Sequence, residues 1–149
     1  MKTEIQKKAV NQYGTPLYLY DIKRIKYNIQ KLCTHLIPGC GLYFSMKANP
    51  LRYLCKIAYQ SGCGIEIASD GELRIATQAG VSPENIVFTG PGKTMCELEQ
   101  TICAGIYMIN VESIQEVREI QKIAKKQIKL YLLQFVLIPV GEKQKAKFR

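Results

Sequence analysis

From Pro50 onward the chain alternates short apolar runs with helix-length segments that end on glycine, a rhythm that argues for parallel βα units. Residues 51–60 read as a helix closed by Gly62, 65–68 as a short buried strand, and 70–79 as a helix closed by Gly80. The pattern repeats with a strand at 86–88, a helix at 95–104 closed by Gly105, a strand at 107–111 and a helix at 113–126. A last apolar run, 128–140, opens as a strand. Parallel strands need a crossover, and a helix is the usual one. An eight-unit βα barrel takes roughly 250 residues. The 149 residues here therefore fit either a small open sheet or the first part of a barrel, and periodicity alone leaves both open.

Upstream, Tyr43-Phe44-Ser45-Met46-Lys47-Ala48-Asn49-Pro50 is a short apolar strand that delivers one lysine at its C-terminal end. Counting from it gives about five strands and four helices. Before it, the turn signal Gly14-Thr15-Pro16 precedes Leu17-Tyr18-Leu19-Tyr20, which suggests a further strand. Asp21 is placed to cap a helix in which Ile22, Ile25, Ile29, Leu32 and Leu36 recur at helical spacing until Pro38-Gly39.

Composition narrows the function classes. With 47% hydrophobic and 22% charged residues the chain is an ordinary globular candidate of one domain. No apolar run reaches the roughly 18 to 20 residues of a membrane span, and Met1-Lys2-Thr3-Glu4 opens no apolar signal segment, so the cytoplasm is expected. Six cysteines without C-x-x-C pairs read as reduced thiols, and His35, the only histidine, sits where a helix should end, so no metal site is expected. The net charge of +9 is spread over helix faces without interleaved aromatics; it suits an anionic, phosphate-bearing small molecule better than nucleic acid.

Four segments then carry a resemblance: Tyr13-Gly14-Thr15-Pro16-Leu17-Tyr18 leading to Tyr20-Asp21; Phe44 to Pro50; Gly62-Cys63-Gly64-Ile65-Glu66-Ile67-Ala68-Ser69-Asp70-Gly71-Glu72-Leu73; and Phe88-Thr89-Gly90-Pro91-Gly92-Lys93-Thr94. In this order the chain resembles the N-terminal part of the pyridoxal-phosphate-dependent decarboxylases of the alanine-racemase-like barrel type. That group contains the diaminopimelate, ornithine and arginine decarboxylases. The fold so implied is α/β, a partial (β/α)8 barrel of about five parallel strands. Residues 1–36 lead in, 37–140 form the first part of the cofactor-binding barrel, and 141–149 are a basic tail unlike the family.

The resemblance implies pyridoxal 5'-phosphate as cofactor and Lys47 as the residue that forms the internal Schiff base with it. The end of a barrel strand offers an apolar setting and aims the amine at one point. Ser45 matches the small residue under the cofactor ring, Glu66 the acidic residue on the next strand, where many members have aspartate, and Ser69 a hydroxyl that bonds the cofactor or caps the next helix. Glu72 follows with a carboxylate open to either role. Gly90-Pro91-Gly92-Lys93-Thr94 lacks the G-x-x-x-x-G-K-[ST] spacing of a nucleotide loop, and Lys93 reads as a loop residue near the site.

The implied activity is decarboxylation of a small amino acid, diaminopimelate as the first choice. The alternatives are another amino acid, a carrier-tethered substrate, a non-catalytic cofactor-binding barrel, or an interaction module in which Lys47 is incidental. Relatives are homodimers, a property not carried over here. Gln134 stands where the resemblance places an arginine, agreement ends near Leu133, and the family's phosphate loop and C-terminal domain would lie beyond Arg149. The expectation is a truncated or frameshifted fragment, inactive by itself.

Overall fold

The computed structural model describes residues 3–127 and 132–135. Helices α1 (Thr3–Tyr13) and α2 (Ile22–Cys33) come first. Then follow β1 (Tyr43–Ser45), α3 (Arg52–Gln60), β2 (Gly64–Ile67), α4 (Asp70–Gln78), β3 (Ile86–Phe88), α5 (Met95–Ala104), β4 (Met108–Val111), α6 (Ile114–Gln127) and β5 (Leu132–Phe135). The strands form one five-stranded sheet in the order β1-β2-β3-β4-β5, every pair parallel.

That order resolves the choice the periodicity leaves open. A doubly wound open sheet reverses its strand order at some point, whereas right-handed crossovers that always step to the next strand lay every helix on the same face, as in a barrel. The core confirms the one-sided arrangement. Ile65 and Ile67 of β2, Ile86 and Phe88 of β3, and Ile109 and Val111 of β4 are all buried, and they cluster with Cys55, Ala58, Leu73, Ala76, Leu98, Ile102, Ile120 and Ile123 from α3 to α6. The alternate residues of the same strands face the other way and are free to build a site.

The helix boundaries follow local chemistry. Ser69 caps α4 by accepting from the Glu72 amide at 3.2 Å, and Thr94 opens α5 with a reciprocal capping box to Glu97. Gly105 ends α5 in the left-handed region, φ 73°, which glycine adopts without steric cost. At Gly64 the requirement is space: a Cβ there would collide with the Tyr43 ring lying across it from β1.

Residues 17–20 differ from expectation. They are not a strand, and Tyr18 among them is 88% exposed. None of the described strands offers them a ladder, and their fixed point is the Tyr20 hydroxyl, which accepts from Asn49 Nδ2 at 2.8 Å. The helix α1, for which the sequence reading offered nothing, buries none of its residues, and α2 stops at Cys33, three residues before the expected Leu36. The expected basic tail, 141–149, lies outside the described residues.

Two rim loops are tied together by Lys93. Its side chain is only 1% exposed, donates to the Gly90 carbonyl at 2.7 Å and pairs with Glu116 Oε2 at 3.3 Å. The ammonium also stands 5.5 Å from the centre of the Phe88 ring. Glu116 in turn accepts from the Glu112 amide at 2.9 Å, so the β3–α5 loop is fastened to the start of α6.

Lys93→Ala removes one partner of a buried pair and should lower unfolding stability by about 3 kcal/mol in a denaturant titration. Glu116 keeps its bond from Glu112, which holds the loss at the low end of the range for such pairs.

The Glu97 carboxyl is held below its usual range, chiefly by the bond from the Thr94 amide. Because the folded-state pKa is the lower one, the stabilisation is complete above the unfolded carboxylate pKa and disappears as pH falls through the folded value. Stability measured from neutral pH down to the acid limb should therefore fall less steeply in Glu97→Gln than in the wild type.

Candidate functional site

Alternation along the strands fixes what faces away from the helices. In β1 these are Tyr43 and Ser45; the ladder then sets Ser45 beside Glu66, Glu66 beside Val87 and Val87 beside Met108. One step nearer the C-terminal ends, Asn110 pairs with Gln134, and Thr89, which follows β3 and donates its amide to the Ile67 carbonyl at 2.9 Å, lies next to Asn110. Tyr43, Glu66, Val87, Thr89, Met108, Asn110 and Gln134 line a cavity of ≈ 260 Å³ on this face. A larger hollow of ≈ 420 Å³ lies on α2, lined by Asn28, Lys31, Leu32 and His35, apart from this row.

Polar atoms on the inner face show two conditions. The Glu66 carboxylate is fixed by the Thr89 hydroxyl, which donates to its Oε1. Ser45 Oγ and Asn110 Oδ1 are buried and have no hydrogen-bond partner among the described residues. Buried polar atoms are nearly always paired in folded proteins, so two such orphans on one face of one sheet are a signature of a ligand's place.

Lys47 lies at the end of β1 in a single turn of 3-10 helix, Met46–Ala48, that packs against β2. Met46 is fully buried in the core, which leaves Lys47 outside it. The expected apolar setting is absent among the described residues: Lys47 is exposed, and its amine makes no hydrogen bond or ion pair with any of them. The physical reason is position, since β1 is an edge of the described sheet and no described strand pairs with its outer side. Asn49 Oδ1 accepts from the Leu51 amide at 3.1 Å and so shapes the turn that follows the lysine.

The structure brings together Ser45 and Glu66, register partners in adjacent strands, and adds Thr89 and Asn110, which the sequence reading passed over. A signal for Asn110 was present: it is the one polar residue in the apolar run Tyr107-Met108-Ile109-Asn110-Val111, at an inward parity. Ser69 acts as a helix cap, and Glu72 spends its carboxylate on the Ala68 amide at 2.6 Å. Lys93 turns into the loop scaffold. His35 directs Nδ1 to the Lys31 carbonyl at 2.7 Å, and no cluster of metal-ligating side chains occurs among the described residues.

Comparison with known proteins places this geometry. The family model of the pyridoxal binding domain of pyridoxal-dependent decarboxylases matches residues 22–145. The L-glutamyl-[BtrI acyl-carrier protein] decarboxylase of Niallia circulans is 43% identical over 118 residues, covering 79% of this chain and 28% of that protein. Diaminopimelate decarboxylase of Aquifex aeolicus is 38% identical over 120 residues, 80% of this chain and 28% of its own length.

Among solved structures, diaminopimelate decarboxylase from Helicobacter pylori complexed with L-lysine superposes with a TM-score of 0.81 at 29% identity, over 87% of this chain and 33% of that one. Lysine/ornithine decarboxylase from Vibrio vulnificus, at 21% identity and a TM-score of 0.81, shares the fold. The chain thus spans about a third or less of the length of these relatives. It belongs to the pyridoxal-dependent decarboxylases, through their pyridoxal binding domain.

Proposed function

We propose that this chain carries the lysine-bearing part of an amino-acid decarboxylase, with pyridoxal 5'-phosphate held through the amine of Lys47. The observation that carries the reading is the buried, unpartnered Ser45 Oγ two residues before an unpaired, accessible lysine, on the face of the sheet that the helices leave free. These residues fit the group. An amine without an ion-pair partner can bind an aldehyde covalently, and a serine is small enough to let a flat ring lie over β1.

When bound, the cofactor supplies an electron sink for the pair left behind as a carboxylate departs as carbon dioxide. The protein's own share is positional. Lys47 would hold the cofactor, Ser45 would leave it room and offer a hydroxyl, and Glu66, steadied by Thr89, would supply a fixed acceptor. Val87 and Met108 make the adjoining floor apolar and help exclude water. Ser69 contributes by fixing the start of α4, with its hydroxyl near the rim.

Diaminopimelate is the first substrate reading, supported by the Aquifex and Helicobacter relatives; a carrier-tethered glutamyl group is the second, favoured by the 43% identity to the Niallia enzyme. A cytoplasmic setting with a small-molecule substrate completes the proposal. It is supported by six free cysteines and by the lack, among the described residues, of any helix long and apolar enough to cross a membrane.

The test is covalent trapping. The purified chain is mixed with pyridoxal phosphate, reduced with borohydride and mapped by mass spectrometry, with Lys47→Ala alongside. One dominant adduct on Lys47, lost in the variant, is the expected result; labelling spread over the surface lysines to the same degree in both proteins would overturn the assignment.

A further inference from the structure

The turn that carries Lys47 is too short to hold its own shape. Its three residues, Met46–Ala48, are closed by one backbone bond, from the Asn49 amide to the Met46 carbonyl at 3.0 Å. Pro50 has no N–H and confines Asn49 to extended backbone, φ -165° and ψ 103°, so the helix stops there. A single turn fixes several dihedrals for one bond and is unstable by itself. Its position must come from outside. On the N-terminal side it comes from Met46, fully buried in the core. On the C-terminal side the anchor is polar: Asn49 Nδ2 donates to the Tyr20 hydroxyl at 2.8 Å, across a sequence separation of 29.

The two ends of that bond are themselves fixed. Asn49 Oδ1 is taken by the Leu51 amide at 3.1 Å, which leaves Nδ2 to face Tyr20. Tyr20 directly precedes Asp21, which caps α2 through the Arg24 amide at 3.0 Å, and α2 packs on the core through Ile29. The hydroxyl is therefore mounted beside a capped helix start.

We infer that Tyr20 is a positioning residue for Lys47: through Asn49 it holds the lysine turn from the C-terminal side, as Met46 holds it from the N-terminal side. The inference rests on the proposed role of Lys47 and adds to it a residue that acts through Asn49. The chemistry of the bond supplies a control. In Asn49→Asp the Leu51 amide keeps its acceptor, and the Tyr20 hydroxyl, whose hydrogen rotates, donates to the second carboxylate oxygen, so the tether survives with its direction reversed. Tyr20→Phe keeps the ring and removes the tether. Asn49→Asp and Asn49→Asp/Tyr20→Phe carry the same charge near Lys47 and differ only in the tether.

The experiment makes two measurements on the full chain in wild type, Tyr20→Phe, Asn49→Asp and the double variant. The first needs no cofactor: hydrogen exchange of the residue-49 amide, followed by NMR, reports opening of the lysine turn. Each Tyr20→Phe change should speed it about fivefold over its Tyr20 parent, the worth of one hydrogen bond. The Thr89 amide, bonded to the Ile67 carbonyl at 2.9 Å, should exchange at one rate in all four proteins. The second is borohydride trapping of pyridoxal phosphate, read as the yield on Lys47 relative to the exposed Lys56. That ratio should fall severalfold in Tyr20→Phe and in the double variant, each against its Tyr20 parent.

Unchanged exchange at residue 49, or an equal acceleration at Thr89, would overturn the inference. So would a wild-type preference for Lys47 that survives Tyr20→Phe, since the tether would then serve the fold without serving the amine. A wild-type chain that shows no preference for Lys47 while residue 49 responds as expected removes the cofactor reading alone and leaves Tyr20 as the residue that positions the lysine turn.

Discussion

Everything in this molecule depends on the two-residue period of its parallel strands. One parity, Ile65, Ile67, Ile86, Phe88, Ile109 and Val111, is driven under the helices by apolar burial, each such side chain contributing roughly 1.5 to 3 kcal/mol. The other parity is then forced to the opposite face, where Ser45, Glu66, Thr89 and Asn110 stand. A slip of one residue in β2 would exchange Ile65 for Glu66 and bury a carboxylate among aliphatic carbons, a cost no local contact could offset. The hydrophobic effect therefore specifies the site without touching it, because the residues that assemble the chemistry are the ones left over when the core is satisfied.

The loops at the C-terminal ends of the strands need a different kind of restraint, since they carry little apolar surface. Each is fixed by polar groups that answer the free amides of a helix start. Ser69 and Glu72 serve α4, Thr94 and Glu97 serve α5, and Ser113, with the Glu116 amide 3.1 Å from its hydroxyl, serves α6. Lys93 joins two of these starts through one buried ammonium. The rim is thus a chain of short-range bonds that converts the rigidity of the helices into fixed positions for the loops that follow the strands, Thr89 among them.

How much of this was legible in the sequence follows from the range of the forces involved. The strands and helices from 51 to 127 were readable within a residue or two, because period and caps are local, and Lys47, Ser45 and Glu66 were singled out through motifs that are each contiguous. Leu17 to Tyr20 misled: an aromatic, apolar run is compatible with a strand, but a strand exists only where a neighbour completes its ladder, and none of the described strands does so. Thr89 and Asn110 escaped for a related reason. Their meaning arises from parallel register, which sets residues of β2, β3 and β4 side by side although some twenty positions separate each from the next.

The same register explains why the site divides into two electrostatic regions. On β1 the lysine stands exposed at a sheet edge, a lone cation able to meet an anionic or carbonyl-bearing ligand from solvent. From β2 to β4 the inner face offers a carboxylate and an amide oxygen with no described cation among them. Lys93 takes no part in either region: its ammonium is held by the Gly90 carbonyl and Glu116 at 1% exposure, and the pair that fastens the rim is not among the residues that line the cavity.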